Sequence, residues 1–236
     1  MIRVALTPRI PIVVDAETEP DDAWIDRTRD EFMASLEPPA NYSKPETIKR
    51  WMDEQLEDRR SRAPLSSIDG RITAIACAPL WGDGEPHANV DRGDEAGLLA
   101  WFMAELDEMV AAVPDAVGVI AGFAVADFDV PFLTARAALH RVQVPTWWPD
   151  RPHRYGAVLD AHEILGPKGK LDLWLKRYGL PPKSGEGSLV QTYLDEELRA
   201  YVSNDVAVER ALLRHLAVVS PEIAETLGRH LTPVTP

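Results

Sequence analysis

Apolar residues in this chain are grouped in two ways, as short β-branched runs and as stripes repeating every three or four positions. The run from Ile10 to Asp15 (IPIVVD) is of the first kind and predicts a buried strand. Arg71 to Ala78, after the Asp69-Gly70 turn signal, and Val117 to Ala121 predict two more, with a short one at Val158 to Asp160. Pro45 to about Arg62 opens on a proline and an acid, which predicts a helix. Leu98, Leu99, Phe102, Leu106 and Val110 recur at helical spacing and predict another over Asp94 to Val113. Further helices are predicted from about Val130 to His140, where Pro131 suits a first turn, and at Lys170–Tyr178, Ser188–Tyr193 and Glu196–Ala217. Glu19 to Tyr42 is acidic and broken by Pro38, Pro39 and Asn41, so it is expected to be irregular. Strands lead and helices dominate the second half. The layout is α/β, a central sheet covered by helices.

Length adds one constraint. At 236 residues the chain is about one and a half typical domains. One elaborated domain over residues 1–236 is expected, with an irregular insertion at about 19–45 and a C-terminal tail at about 218–236. The longest uncharged runs, such as Ala116 to Ala126, cover 11 residues, short of the roughly 18 that span a bilayer. Arg3, Pro8, Arg9 and Pro11 interrupt the apolar stretch that a signal peptide needs. Cys77 is the single cysteine, which excludes an intrachain disulfide and a cysteine-rich zinc site. A cytoplasmic protein is expected. Charge changes the picture more. Thirty-eight acids against 25 bases leave −13, which argues against coating nucleic acid with the whole surface. The stretch Lys168 to Lys183 runs the other way: Lys168, Lys170, Lys176, Arg177 and Lys183 face one acid, Asp172. It reads either as a solvated helix with basic flanks or as a local guide for a strand.

Three groups of residues carry candidate chemistry. Asp15 and Glu17 lie two apart at the end of a predicted strand, so both carboxylates project to one side. Anions that close repel unless a cation lies between them, and hard oxygen ligands suit Mg²⁺ or Mn²⁺. A solvated strand end would look the same. Asp129 follows the Val117 strand and precedes a helix, where it also suits an N-cap, and Asp127 competes for the same part. Tyr201 and Asp205, four apart on a predicted helix, share a face near the apolar stripe of Leu198, Val202, Val206, Leu212 and Leu213, and read on their own as a surface aspartate beside a core tyrosine or as a buried pair. The tryptophans, including Trp147-Trp148, are read as packing anchors ahead of base-stacking platforms. His153, His162 and His215 have no metal-site spacing and are read as structural, and Cys77 as core.

Together these groups are more specific than apart. Asp15-x-Glu17 on an early strand, Phe128-Asp129 after a middle strand and Tyr201-x-x-x-Asp205 on a late helix resemble the motifs of the DEDD 3′–5′ exonucleases, in their tyrosine variant. This is the DnaQ-like branch of the ribonuclease H-like superfamily. The chain looks most like the relatives of the proofreading domain of family B DNA polymerases, including stand-alone phage versions. Asp69 to Ala76 is similar to the family's second strand, and Lys170 to Lys183, with Gly185 and Gly187, to the segment leading into the third motif. The likeness runs from about Ile10 to Leu216.

The resemblance implies a ribonuclease H-like fold, a mixed central sheet flanked by helices, and a single-stranded DNA substrate cut from its 3′ end. A replication or repair protein is a candidate partner, which the sequence itself does not identify. Asp15, Glu17, Asp129 and Asp205 would hold two Mg²⁺ or Mn²⁺ ions and Tyr201 would position the attacking water. Thr18, Phe128 and Lys183 would contact the substrate. A tyrosine with an ordinary pKa near 10 orients water better than it deprotonates it. RNA as substrate, or a strand-binding module of weak activity, are the alternatives. One position departs from the family pattern: Ala124 stands where an asparagine usually contacts the strand. That change bears on affinity and substrate choice more than on the metal ligands.

Overall fold

The computed structural model describes residues 7–154, 156–166, 169–185 and 187–219, so Arg3, Lys168 and most of the expected tail lie outside it. The chain is α/β. Five strands, β1 (Arg9–Pro20), β2 (Gly70–Pro79), β3 (His87–Val90), β4 (Val117–Gly122) and β5 (Val158–Asp160), form one mixed sheet in the order β3-β2-β1-β4-β5. β1 runs antiparallel to β2 and parallel to β4, and β4 is parallel to β5. Helices α1 (Asp22–Arg27), α2 (Arg29–Ser35), α3 (Pro45–Arg62), α4 (Glu95–Ala111), α5 (Asp129–His140), α6 (Ala161–Leu165), α7 (Leu171–Tyr178) and α8 (Asp195–Val219) surround it. The arrangement is consistent with a ribonuclease H-like fold. Among the described residues no helix is long and apolar enough to cross a membrane.

The two-residue period of β1 divides the core. Ile12, Val14 and Ala16 pack with α4 and α5 through Leu99, Phe102, Leu106 and Val130. Val13 faces the other way, into the cluster that Leu198, Val202, Val206 and Leu213 of α8 complete. Cys77 is fully buried among the first set. Trp148 is buried there too and donates its indole N–H to Thr134 Oγ1 at 2.9 Å, so the tryptophan pair anchors packing.

The segment after residue 19 differs from expectation. β1 continues to Pro20, and α1 and α2 follow where an irregular insertion was read. Asp21 caps α1 through the Trp24 N–H at 3.1 Å. Ile25 of α1 is buried against Leu56 of α3 and Ala63, with Phe32 and Met33 of α2 beside them. The Arg59–Asp69 pair at 2.6 Å, with Arg59 also on Thr28 Oγ1 at 2.9 Å, closes this small core. Breakers at 38–41 end α2 but do not dissolve the segment before them. The predicted helix at Ser188–Tyr193 is a 3₁₀ turn over Gly187–Thr192, and β3 (HANV) and α6 (AHEIL) are elements not expected from the sequence, since neither carries a β-branched run or an apolar stripe.

The loop between β4 and α5 bears on the site. Ala124 sits there in the left-handed region, φ +61°, with its N–H on Asp160 Oδ1 at 2.9 Å. An L-residue other than asparagine or aspartate strains by roughly 1–2 kcal/mol in that region. Ala124→Asn is therefore expected to relieve part of that strain and raise the melting temperature by about 1–4 °C. A lower melting temperature would show that the neighbourhood has no room for the amide.

Candidate metal centre

The same alternation that buries Val13 carries Asp15 and Glu17 to the α8 face of the sheet. Beside them β2 makes a bulge: Glu17 pairs with Ala74 and Thr18 with Ile72, leaving Thr73 without a partner across the ladder. Asp205, 1% exposed on α8, meets the two acids there. One carboxylate oxygen from each of Asp15, Glu17 and Asp205 lies within 4.8 Å of the others. Two oxygens on opposite sides of a Mg²⁺ at about 2.1 Å stand about 4.2 Å apart. The three can converge on one cation with small adjustments.

Asp129 reaches this place differently. β1 pairs with β4 only as far as Val13 with Ala121, so backbone donors beyond that point have lost their strand neighbour. Asp129, buried at the start of α5, takes one of them: its Oδ1 accepts the Ala16 N–H at 3.2 Å. Asp127 stays on the surface and pairs with His153 at 3.6 Å. Two further buried carboxylates were not singled out from sequence. Asp160 accepts from the Ala124, Ala126 and His162 N–H groups at 2.8–3.0 Å. Glu209 accepts the Phe123 N–H at 3.2 Å. The helical spacing of Tyr201, Asp205 and Glu209 was a signal for the second; Asp160, at the end of a three-residue strand, gave none.

Crowding shows in the titration. Burial, and then the charge of Asp205, push the Asp15 carboxyl up to about 7. Burial, Asp15 and Asp205 raise Glu17, and burial with Asp15 raises Asp129 and Glu209. Burial raises Asp205 as well, against the pull of Lys183. Asp15 Oδ2 and Asp205 Oδ1 are buried with no hydrogen bond to them. Oxygens so placed fit a divalent cation better than they fit protein donors.

Lys183 enters from the segment before α8. Its Nζ is 2.6 Å from Asp205 Oδ2 and 5.5 Å from the centre of the Tyr201 ring. Burial works against its ammonium, but Asp205 outweighs burial and holds the pKa above the ordinary lysine value. Tyr201 is 4% exposed, and burial followed by Glu17 and Asp205 raises its hydroxyl, which stays protonated at neutral pH. A Cβ at Gly185 would stand 2.5 Å from the Tyr193 hydroxyl and 3.1 Å from the Tyr201 ring, so this segment lies directly against the tyrosines. Beyond Lys183 an open cleft of about 710 Å³ is lined by Asp172, Lys176, Gly179, Leu180 and Pro182 to Gly185. Thr18 donates its hydroxyl to the Pro64 carbonyl at 2.6 Å, and Phe128 packs on Phe132. Both serve the scaffold here. His153 binds Glu163 at 3.1 Å on the surface. No protein-family model matches the chain, and no curated protein matches it.

The raised carboxyls fix a pH dependence for the chelated protein. Asp15 titrates near 7 when folded, against 3.8 as a free side chain. Between those values the folded state holds more protons than the unfolded one, so stability falls as pH rises through them. Glu17, Asp129, Asp205 and Glu209 are shifted in the same direction. Chelated protein is expected to melt at a higher temperature at about pH 5 than at about pH 8, and Asp15→Asn to flatten the profile. A profile rising over that interval would contradict the crowding.

Proposed function

We propose that the protein is a metal-dependent 3′–5′ exonuclease that hydrolyses single-stranded DNA from its 3′ end, acting in the cytoplasm. The observation that carries this is the convergence of the Asp15, Glu17 and Asp205 carboxylates, with buried oxygens that lack donors, beside Tyr201 on the same helix face. Asp129 completes the set from the other side of β1. Two divalent cations bound there would supply hydroxide near neutral pH and a counter-charge for the departing 3′ oxygen. The remaining work falls to side chains. Tyr201 donates its hydroxyl and orients the attacking water, since its raised pKa makes it a poor base. Lys176 and Lys183 line the route by which the strand phosphates approach.

One observation favours a second reading, a strand-binding module of weak activity. Lys183 already pairs with Asp205 and neutralises part of the cluster without any metal. Metal response separates the two. A ladder assay on 5′-labelled single-stranded DNA and RNA with Mg²⁺, Mn²⁺ or chelator is expected to show stepwise 3′ loss only with metal. Metal is also expected to raise the melting temperature. Asp15→Asn should lower cleavage by about 100-fold or more and remove that rise, whereas Tyr201→Phe should slow cleavage and leave the rise intact. Cleavage that survives chelation, or metal without effect on melting, would refute the metal-dependent reading. A metal-induced rise without cleavage would favour the binding module.

A further inference from the structure

Between α1, the turn of residues 66–69 and α5 lies a second cavity, of about 320 Å³, separate from the cleft beyond Lys183. Trp24 and Arg27 of α1, Ile68 of the turn, and Ala135 and Leu139 of α5 line it. Ile68 is 69% exposed and Leu139 62%. Apolar side chains exposed singly are ordinary on a surface, but here two of them border one concavity with an indole.

The walls of this cavity are fixed from behind. Arg136, 3% exposed, donates to the Ser67 carbonyl at 3.3 Å, to Asp21 Oδ2 at 3.4 Å and to Glu95 Oε1 at 2.8 Å. Asp21 also caps α1, so one buried guanidinium ties the turn, α1 and α5 together. A cavity shaped in advance spares its occupant the cost of ordering it. The lining is also unbalanced in charge. Asp21 and Arg136 pair with each other, with Glu95 behind them. Asp22 and Asp26, the other acids of α1, pair with Arg60. Arg27 stacks its guanidinium 4.9 Å from the centre of the Trp24 ring and has no carboxylate partner among the described residues. The uncompensated charge at the rim is therefore positive, on a chain of net charge −13.

We propose that this pocket docks a partner protein through a segment that carries one large apolar side chain between carboxylates. Trp24, Ile68 and Leu139 cover the apolar group, and Arg27 receives a carboxylate beside it. Aliphatic walls suit an alkyl or phenyl group better than a nucleobase, whose polar edges would lose water without gaining partners. Docking here needs no metal, so it stands or falls separately from the cleavage reading.

The test is fluorescence anisotropy of the full chain with a fluorescein-labelled peptide, Gly-Glu-Glu-Phe-Glu-Gly. Two controls have the same length, one with lysine for each glutamate and one with serine for the phenylalanine. The acidic apolar peptide is expected to bind at least about fivefold more tightly than either control. Leu139→Asp changes an exposed position and should weaken that binding about tenfold or more, while the melting temperature stays within about 2 °C of wild type. Arg27→Gln should abolish the preference over the lysine peptide and keep the preference over the serine peptide. Equal binding of the three peptides, or binding unchanged in both variants, would overturn the proposal. So would displacement of the peptide by oligothymidylate, which would make the pocket a strand contact. A wild-type dimer that Leu139→Asp dissociates would assign the face to a second copy of the chain and overturn it as well.

Discussion

Mutual repulsion among carboxylates at the carboxyl end of β1 is the constraint around which this half of the molecule is built. Asp15 and Glu17 project from the strand, and Asp205 comes down on them from α8. Each neighbour answers the crowding in its own way. Asp129 gives one oxygen to the Ala16 N–H, Glu209 takes the Phe123 N–H, and Lys183 brings an ammonium to Asp205. Isolated ionised groups in such a place would cost many kcal/mol, which is why every acid of the group titrates above its ordinary range. The fold tolerates the arrangement because the surrounding core is large and apolar on both faces of the sheet.

The crevice itself follows from strand lengths. β1 outlasts β4, its parallel neighbour, so the two part at Val13 and Ala121 and the chain beyond has open backbone donors on one side. Open α/β sheets place their ligands beyond the carboxyl ends of parallel strands for this reason. The gap is then shaped by the loop after β4. Asp160 holds two of its N–H groups and Glu209 a third, and the price of that tight path is the left-handed backbone at Ala124. Strain in the loop and charge in the strand are two parts of one construction. Both position Asp129 against β1.

Much of this was readable from the chain because its periodicities are strong. IPIVVD can hardly be anything but a buried strand, and the two-residue spacing of Asp15 and Glu17 already assigns them one side. The helix over Pro45–Arg62 and the short strand Val158–Asp160 keep their predicted limits. Helical spacing sets Asp205 near an apolar stripe but equally allows a surface aspartate beside a core tyrosine; both side chains are buried. The segment after Glu19 was misread because its two helices are six and seven residues long and are held by contacts to α3, remote in sequence. Local propensity does not record such contacts. Asp127 and Asp129 could not be separated by spacing; the broken pairing of β1 with β4 separates them. For Lys183 the resemblance implies a contact to substrate, and its pairing with Asp205 depends on the path of the whole segment before α8.

Charge balance gives the arrangement its clearest physical sense. The group of Asp15, Glu17, Asp129, Asp205 and Glu209, fully ionised, carries five negative charges, and Lys183 supplies one positive. Without a cation the deficit is met by protons, which is what the upward shifts express. Two divalent cations would bring four positive charges and, with Lys183, neutralise the five carboxylates. Removal of any one acid would then relieve the empty cluster and weaken the filled one. The acids are thus held together at an electrostatic cost that protons meet when no cation is present.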